Sequence, residues 1–416
     1  MITMEEKKIL RELAREYKDI ATDARQQDAV RRMYATNDLT VVRPPVLMDE
    51  IPWFEMDMGD ELTLRTTDPK AQAMETYFRR AIYRRKHFAC DALMTPYYPV
   101  DKVIHSTGNG LEVAERIIAT NEKNNIVSHE YHDIIPDEET FAAKFHLPVI
   151  TADPEADQKN MEWTVDVLGD TLEAKLQGVG VYYAPWDQIP RFHGVENCFV
   201  DMFERPEFMH AVIEKFTEAG ETTYEQYEKL GLLDANYPSL HCTPSYVTGC
   251  PNDPDSDAPH QRKDLWFRSM AQAFTSVSPR MHYEFDVAYS APMMKKFKYT
   301  YYGCCEALDN KLDMLRKHIP NLRKVGVTPW ANAEVCFEQI RGDLVAAVKP
   351  NPAHVAIATD PAVIRAEIEK YVLLSEKYGT PFDYVLKDIS TVGYKPQNLI
   401  VWAQTVSDVL DAHYGK

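Results

Sequence analysis

The chain has 416 residues and a formal net charge of −18. Its field repels nucleic acid and anionic membrane surfaces, so neither is expected as a partner, and a polyanionic substrate would need a concentrated basic pocket. No stretch reaches the roughly 20 apolar residues of a membrane span, and the charged N-terminus is unlike a secretory signal. Seven scattered cysteines favour reduced thiols, and we expect a cytoplasmic protein.

Apolar residues recur at helical spacing near the N-terminus. Ile9, Leu13, Tyr17 and Ile20 lie among charged residues, which predicts a helix over residues 4–34. We interpret residues 1–38 as a helical extension that packs on the catalytic domain or on a partner subunit. A homodimer is therefore one expected arrangement.

Strand-like runs and amphipathic helices alternate from residue 39 to residue 416. The runs cover residues 39–53, 92–100, 178–186, 236–246, 297–305, 322–330, 354–360 and 382–391. Residues 205–231 and 361–379 exemplify the helices, the second ending at Gly379. Repeated strand–helix units without a GxGxxG loop favour an α/β protein with a closed (β/α)8 TIM barrel over residues 39–416. The Pro- and Asp-rich segment 249–264 is interpreted as a loop insertion, or lid, over the barrel mouth.

In a TIM barrel, the active site lies at the carboxyl ends of the strands. The candidates there are Tyr97, Tyr98, Trp186, Asp187, His193, His241, Cys242, Tyr246, Cys304, Cys305, Glu306, Trp330, Asn332, Lys349, Lys387 and Asp388. Aromatic walls suit a flat organic substrate or the face of a macrocycle. Thiol, imidazole and carboxylate groups are the ligand types that zinc prefers.

The segment YYGCCEAL, residues 301–308, is the sharpest local feature. On a continuing strand, Cys304 and Glu306 would face the same side and Cys305 the other. This pattern indicates a metal site or an activated thiolate. The alternative is two small buried hydrophobic side chains and a Glu bonded to a neighbouring loop.

Other candidates also have structural alternatives. His241 could be a ligand or a hydrogen-bonded structural histidine. Asp187 and Asp388 could be acid–base groups or helix caps. Lys349 could bind an anionic oxygen or pair with a carboxylate, and the tryptophans could line a substrate or pack in the core.

Several segments in this order resemble the uroporphyrinogen decarboxylase superfamily over residues 40–412. They are RPPVLMDEIPW (43–53), the run from VYYAPW to HAVIEKF (181–216), AQAFTSVSPRMHYEFDVAYSAPMMKKF (271–297), TYYGCCEAL (300–308), VGVTPW (325–330), VKPNPAH (348–354) and YVLKDISTVGYKPQNL (384–399). The first two resemble a subgroup of anaerobic proteins associated with O-demethylation through a corrinoid protein. The resemblance thus implies a corrinoid-dependent methyltransferase on a TIM barrel.

The sequence departs from two branches of this superfamily. True decarboxylases carry an Arg-rich N-terminal motif, whereas residues 41–53 contain one arginine. The thiol methyltransferases hold zinc with His-x-Cys and a later Cys. In this chain Tyr302 stands at the His position and Cys304 at the Cys position. The region of the later Cys, residues 386–391, contains no Cys. A zinc ion would need Cys304 or Cys305, Glu306, and His241 or Asp388 as ligands.

The resemblance implies transfer of a methyl group from an aryl methyl ether to the Co(I) corrinoid of a partner protein. Zinc is the implied metal, with Cys304, Cys305, Glu306 and His241 as ligands. Candidate catalytic residues are Glu306, Tyr302, Asp187, Asp388 and Lys349. Candidate substrate-binding residues are Tyr97, Tyr98, Trp186, His193, Tyr246 and Trp330. A uroporphyrinogen-type decarboxylase and a methyl-corrinoid:thiol methyltransferase are the alternatives.

Overall fold

The computed structural model describes residues 2–119, 127–251, 255–256, 258–357 and 359–415. The strands are β1 (Val46–Met48), β2 (Tyr98–Asp101), β3 (Ile104–Ser106), β4 (Glu115–Ile118), β5 (Ser128–Tyr131), β6 (Ile150–Ala152), β7 (Ala174–Gln177), β8 (Val181–Tyr183), β9 (Ser239–Leu240), β10 (Thr243–Pro244), β11 (Trp266–Ser269), β12 (Tyr299–Tyr302), β13 (Leu322–Val327), β14 (Val345–Val348) and β15 (Phe382–Leu386). The helices are α1 (Met4–Ala21), α2 (Ala24–Asn37), α3 (Pro69–His87), α4 (Glu138–Lys144), α5 (Pro154–Leu168), α6 (Pro185–His193), α7 (Val195–Glu204), α8 (Pro206–Lys229), α9 (Pro279–His282), α10 (Ala288–Met294), α11 (Leu312–His318), α12 (Ala333–Ile340), α13 (Ala353–Ala356), α14 (Pro361–Tyr378) and α15 (Gln397–Tyr414).

A curled, seven-stranded parallel sheet organises the chain. Its order is β1-β15-β14-β13-β12-β11-β8, with every neighbouring pair parallel. The strands are short apolar runs such as VAAV in β14, buried along its whole length, as expected when both faces of a parallel sheet are covered. The structure confirms an α/β fold built on a parallel sheet.

The sheet is open between β8 and β1. The predicted closed barrel is therefore confirmed only in part: the fold is α/β and its parallel sheet is curled. Two pieces of chain lie in the opening. The Asp91 N–H donates to the Val46 carbonyl at 2.7 Å, on the free edge of β1. On the other side, β2 pairs in parallel with β7, which leads through residues 178–180 into β8. The predicted strand at 92–100 is therefore shorter and pairs outside the main sheet.

The hairpin formed by β9 and β10 fills the concave face of the sheet. Thr243 donates to Asp383 at 2.9 Å, and the Lys324 ammonium lies 2.6 Å from the Thr243 hydroxyl and 2.7 Å from Asp383. Cys242 packs with Leu47 and Val385 from the two strands beside it. Because these partners lie on β1, β13 and β15, the hairpin is held inside the curl.

Several helix boundaries follow from identifiable caps. Thr3 and Glu6 form a reciprocal capping box at the start of α1. Asp360 caps α14 ahead of Pro361, and Gly379 ends it in the left-handed conformation, φ 65°. The prediction of a helix over 361–379 is confirmed, as is that over 205–231, which becomes α8.

Three local predictions differ from the structure. The N-terminal region forms two helices, because Asp23 caps a new helix at Ala24. The described residues of the predicted strand at 354–360 do not form one: α13 covers Ala353–Ala356, β14 ends at Val348, and residue 358 lies outside the described residues. The described ends of the predicted lid lie at the amino ends of the strands, since Gly249 neighbours Lys298 and Tyr299 at the start of β12. Residues 252–254 and 257 of that segment lie outside the described residues.

No helix in the described part of the chain is both long enough and apolar enough to cross a membrane.

Candidate active site at the carboxyl ends of the strands

A cysteine, a lysine and a histidine meet where β12, β15 and the hairpin approach one another. The Lys387 ammonium donates to the Cys304 sulfur at 3.2 Å and lies 3.5 Å from His241 Nε2. The Cys305 sulfur lies 3.6 Å from that of Cys304. Cys304 and Lys387 are buried, whereas His241 is exposed at the opening.

Two glycines bring Cys304 to this position. Gly303 adopts φ 99°, which only glycine accepts readily, and turns the chain immediately after β12. A Cβ on Gly326 of β13 would lie 2.9 Å from the carbonyl carbon of Gly303, so neither residue has room for a side chain. Because the strand ends at Tyr302, the predicted alternation of Cys304, Cys305 and Glu306 along a strand is wrong.

The surroundings of Cys304 favour the thiolate. The pKa of its thiol is strongly lowered, first by the hydrogen bond with Cys305 and then, against the opposing effect of burial, by His241 and the charges of Arg268 and Lys349. The lowered pKa favours an activated thiolate at Cys304, whereas Glu306 is bonded to backbone amides as the structural alternative expects.

Backbone strain is concentrated around this cluster. Glu50, His241 and Asp388 all have positive φ, at 50°, 63° and 57°. Each such residue costs on the order of 1–3 kcal/mol and persists where its surroundings enforce it, often at functional sites. The Asp388 N–H donates to Glu50 at 2.8 Å, and Lys387 lies 3.7 Å from Glu50 Oε1, so the strained residues contact the cluster directly.

A second pair of cations flanks Tyr301 on the inner face of β12. The Arg268 guanidinium lies over the Tyr301 ring at 4.3 Å, and the Lys349 ammonium lies 5.2 Å from the same ring. Lys349 also donates to the Tyr301 hydroxyl at 2.6 Å. Lys324 and Lys387 are also buried inside the sheet, but Lys324 is paired with Asp383 at 2.7 Å and Lys387 with the Cys304 sulfur at 3.2 Å.

Asp187 lies in the first turn of α6, which follows β8 directly. It accepts hydrogen bonds from the Tyr182 hydroxyl at 3.1 Å and from Gln272 at 2.9 Å. Burial raises the pKa of the Asp187 carboxyl, and the Cys304 thiolate adds to the shift. A carboxyl with this shift stays protonated to higher pH than a free aspartate and suits a proton donor.

A cavity of about 320 Å³ lies along β8 and β11, from their amino ends to His241 of this cluster. Its walls include the aromatic side chains Tyr182, Tyr237 and Trp266, together with Arg268 and His241. The volume lies within the range of small-molecule sites, and flat apolar walls with few polar groups are typical of them.

Glu306 and Tyr302, predicted as catalytic, point away from this cavity. Glu306 is fully buried and accepts the backbone N–H groups of Cys304 and Ala271 at 2.8 and 3.1 Å, and burial raises its pKa. Tyr302 lies on the opposite face of β12 from Tyr301, and its hydroxyl donates to Asp286 at 2.5 Å. Glu306 thus holds the Cys304 turn, and Tyr302 belongs to the packing between sheet and helices.

The predicted substrate-binding residues are scattered. The Trp186 N–H donates to the Phe285 carbonyl at 2.9 Å in the helical layer. His193 lies between Asp133 and Asp201, at 3.1 and 2.7 Å, as a buried structural histidine. The remaining aromatic candidates lie in different places: Tyr98 packs on Tyr77 and Phe78 of α3, Tyr246 on Tyr34 of α2, Tyr97 lies 5.4 Å from the Lys175 ammonium of β7, and Trp330 is exposed.

The residues proposed as zinc ligands are only partly together. Cys304, Cys305 and His241 are neighbours, and Cys305 lies 3.1 Å from Asp388 Oδ2. However, the Lys387 ammonium contacts the Cys304 sulfur where a metal would bind, and Glu306 is bound to backbone amides. Within the described ranges, no three His, Cys, Asp or Glu side chains are arranged to share a metal ion. These residues do not fit zinc, and we derive no step through it.

Arg268, Tyr182 and Tyr237 are site residues that sequence reasoning missed. Arg268 was overlooked because β11 was not recognised as a strand: its residues follow the Pro- and Asp-rich segment directly. The apolar run LWFRSM, between two turn-rich stretches, is the signal that could have found it.

Comparisons with known proteins do not identify a family. No family model and no curated protein matches the chain. A solved methyltransferase from Methanosarcina mazei aligns over 93% of this chain and 99% of its own length, with 12% identity and a TM-score of 0.48. A putative vitamin-B12-independent methionine synthase from Listeria monocytogenes aligns over 64% and 71%, with 11% identity and a TM-score of 0.30. Similarity this low does not indicate a function, so the function is inferred from the residues of the site.

Proposed function

We propose that the chain transfers a methyl group from an aryl methyl ether to the Co(I) corrinoid of a partner protein. Asp187 is the observation that carries this proposal: it is a carboxyl with a raised pKa, hydrogen-bonded to Tyr182 in the wall of an aromatic-walled cavity that Arg268 also lines. An ether is a poor electrophile, because its phenolate is a poor leaving group. The enzyme must therefore neutralise negative charge on oxygen during transfer.

In the proposed reaction, the methyl–oxygen bond breaks and its electron pair stays on oxygen. That oxygen takes the proton of Asp187, while the corrinoid of the partner uses the electron pair of Co(I) to accept the methyl group. Tyr182 and Gln272 orient the Asp187 carboxyl through their hydrogen bonds. The Arg268 guanidinium, which lines the same cavity, supplies a fixed positive charge for the developing phenolate.

Exposed apolar side chains at the rim support a protein partner. Trp330, Ile357 and Tyr394 are 65%, 81% and 58% exposed and follow β13, β14 and β15, respectively. Carboxyl ends of neighbouring parallel strands lie at one edge of the sheet, which here is the edge that carries Cys304 and Lys387. A corrinoid-binding protein that docks on this rim would bring its cofactor over the cavity.

The experiment is single-turnover incubation of the chain with a reduced corrinoid protein and a panel of methoxylated aromatics. Methyl-Co(III) absorbance together with the demethylated phenol supports the proposal. Absence of both across the panel refutes it. The predicted zinc is tested by metal analysis of the wild-type chain and of the variants Cys304→Ser and Glu306→Gln. Equal metal content in all three proteins would refute the predicted ligand set.

Decarboxylation is a second candidate, favoured by the buried cations Arg268 and Lys349 beside Tyr301. Arg268, Lys349 and Lys387 would suit a carboxylated substrate, although the N-terminal Arg-rich motif of true decarboxylases is missing. Release of CO2 from a carboxylated substrate without a corrinoid would favour this reaction. Methyl transfer without release of CO2 would exclude it.

The resemblance to the uroporphyrinogen decarboxylase superfamily also stays a proposal. The curled sheet is what an incompletely closed barrel of that superfamily would look like, with residues 91–101 in place of its second strand. Cytoplasmic location and the division at residue 38 belong to the same proposal.

A further inference from the structure

A second cavity, of about 370 Å³, lies between α3, Tyr17 of α1 and residues 92–94. It shares no lining residue with the cavity along β8 and β11. Arg80 and Arg84 line it, and none of the described residues in its wall is acidic. The net charge of the chain is −18, so a cavity whose charged groups are all cationic indicates an anionic ligand.

The helix α3 brings the two arginines to the same place. Arg80 and Arg84 are four residues apart, so their side chains lie on one face of the helix. Both guanidinium groups also lie against the ring of Trp53, at 5.0 and 5.4 Å from its centroid. Contact with a single ring keeps the two cations side by side at the cavity.

Neither guanidinium has a close acidic partner among the described residues. For Arg84, the approach to a carboxylate is 3.9 Å, to Asp49, and its Nε is buried without a hydrogen-bond partner. For Arg80, no described carboxylate lies within ion-pair distance. Partial burial lowers the pKa of both groups, and the charge of Arg84 lowers that of Arg80 further.

The neighbouring cations near the end of α3 differ in this respect. They have acidic partners at 2.6–3.0 Å: Arg79 with Glu75, Arg85 with Asp23, and Lys86 with Glu61. Arg80 and Arg84 are therefore the two cations of this group that can bind a ligand without giving up a close ion pair.

The rest of the cavity wall is apolar and aromatic. The hydroxyl groups of Tyr17 and Tyr77 are hydrogen-bonded to each other at 2.8 Å, so these residues offer ring surface to a ligand. Alanine and long apolar side chains complete the wall: Ala73, Ala81, Ala92, Leu93 and Met94. Flat apolar walls with a few convergent charged groups are typical of sites for small organic ligands.

We infer that this cavity binds a small aromatic phosphate monoester, with the phosphate on Arg80 and Arg84 and the ring against Tyr77 and Met94. A phosphate monoester carries about −1.5 to −2 charges at pH 7 and three acceptor oxygens, so one group can neutralise both cations. A guanidinium binds phosphate through two parallel hydrogen bonds. A carboxylate has one charge and would leave one arginine unpaired. The site is independent of the proposed methyl transfer.

Calorimetric titration of the full chain with phenyl phosphate tests the inference. We expect Arg80→Met to weaken binding by about tenfold or more, because a charge-assisted contact is lost. Arg80 is exposed and has no close ion pair, so this variant should fold. Lys86→Met is the matched control: it removes the same charge from the same helix and should keep the wild-type affinity.

Phenol and inorganic phosphate test the two halves of the site, and both should bind more weakly than phenyl phosphate. Phenol binding as tightly as phenyl phosphate would overturn the role of the arginines, and inorganic phosphate doing so would overturn the placement of the ring. A wild-type chain that does not bind phenyl phosphate at about 1 mM would overturn the whole inference. Equal effects of Arg80→Met and Lys86→Met would also overturn it, because binding would then depend only on the overall charge of α3.

Discussion

The Lys387 ammonium lies 3.2 Å from the Cys304 sulfur, at the point where the chain leaves two strands of the central sheet. Lys387 immediately follows β15, and Cys304 follows β12 by two residues. Each group stabilises the charged form of the other: burial opposes the charge of Lys387, but the Cys304 thiolate raises its pKa. Buried opposite charges in direct contact are thus the electrostatic centre of the site.

Replacement of Lys387 by Met should raise the pKa of the Cys304 thiol. The folded-state pKa of this thiol is lowered, so its contribution to stability is complete above the ordinary thiol pKa of about 8.5 and is lost as pH falls through the lowered value. The variant should therefore lose stability at neutral pH. The measurement is the ultraviolet thiolate absorbance, as the difference between each protein and its Cys304→Ser counterpart, from about pH 5 to pH 8.

In that titration, the difference in absorbance between wild type and Cys304→Ser should stay constant. The corresponding difference in the Lys387→Met background should change with pH. Lys377→Met, at an exposed lysine paired with Glu334, is the control and should behave like wild type. A thiolate signal that titrates in the wild type near the ordinary thiol pKa would contradict the assignment.

Replacement of Lys324 by Met should destabilise the fold. Lys324 and Asp383 form a fully buried ion pair at 2.7 Å, which also anchors Thr243 of the hairpin. Removal of one partner leaves a buried charge, so we expect a loss of about 3–5 kcal/mol in the free energy of unfolding, measured with urea. Lys324→Met combined with Asp383→Leu should recover part of the loss, and a single variant as stable as wild type would show that the pair is not buried.

The sequence predicted the alternation of elements better than the closure of the sheet. Periodicity located α8 and α14 because each has a regular apolar stripe and identifiable ends. It missed β11 and β14, which are four residues each and adjoin turn-rich segments. Closure depends on which chain segment pairs with the edges of β1 and β8, and no local pattern specifies such distant pairing.

Replacement of Asp187 by Asn should slow demethylation by about 10²–10⁴-fold with little change in substrate affinity. The pKa of this carboxyl is raised by burial, so the wild-type rate should fall as pH rises through that pKa, and the variant should lack this dependence. The defect should be smaller for ethers whose phenol is a good leaving group, since these need less protonation. The measurement is the demethylation rate of wild type and variant for a series of ethers whose phenols differ in pKa. An equal defect across the whole series would contradict the role of Asp187 as proton donor.

Replacement of Trp330 or Ile357 by Glu should weaken docking of the corrinoid protein. A charge placed in an apolar contact should raise the KM for that protein by about tenfold or more, while the affinity for the aromatic ligand stays the same. Leu373→Glu, at a leucine that is 61% exposed on α14, is the matched control. An equal effect of all three substitutions would contradict a docking surface at the rim.

The candidate site was predictable where it follows strand ends in sequence. His241, Cys304, Cys305, Lys387 and Asp388 were all located in this way, and the structure brings them together. Arg268 was missed because it lies within a strand that was not recognised. Glu306 was predicted as a catalytic residue, but the chain turns at Gly303 and buries the Glu306 carboxyl against backbone amides.

The most direct test of the account is to mix the chain, a Co(I) corrinoid protein and a methoxyphenol and to follow the corrinoid spectrum within one turnover. The account predicts methyl-Co(III) and the demethylated phenol in equal amounts, and a rate lowered in Asp187→Asn. Unchanged Co(I), with the ether bound but intact, would contradict the central claim.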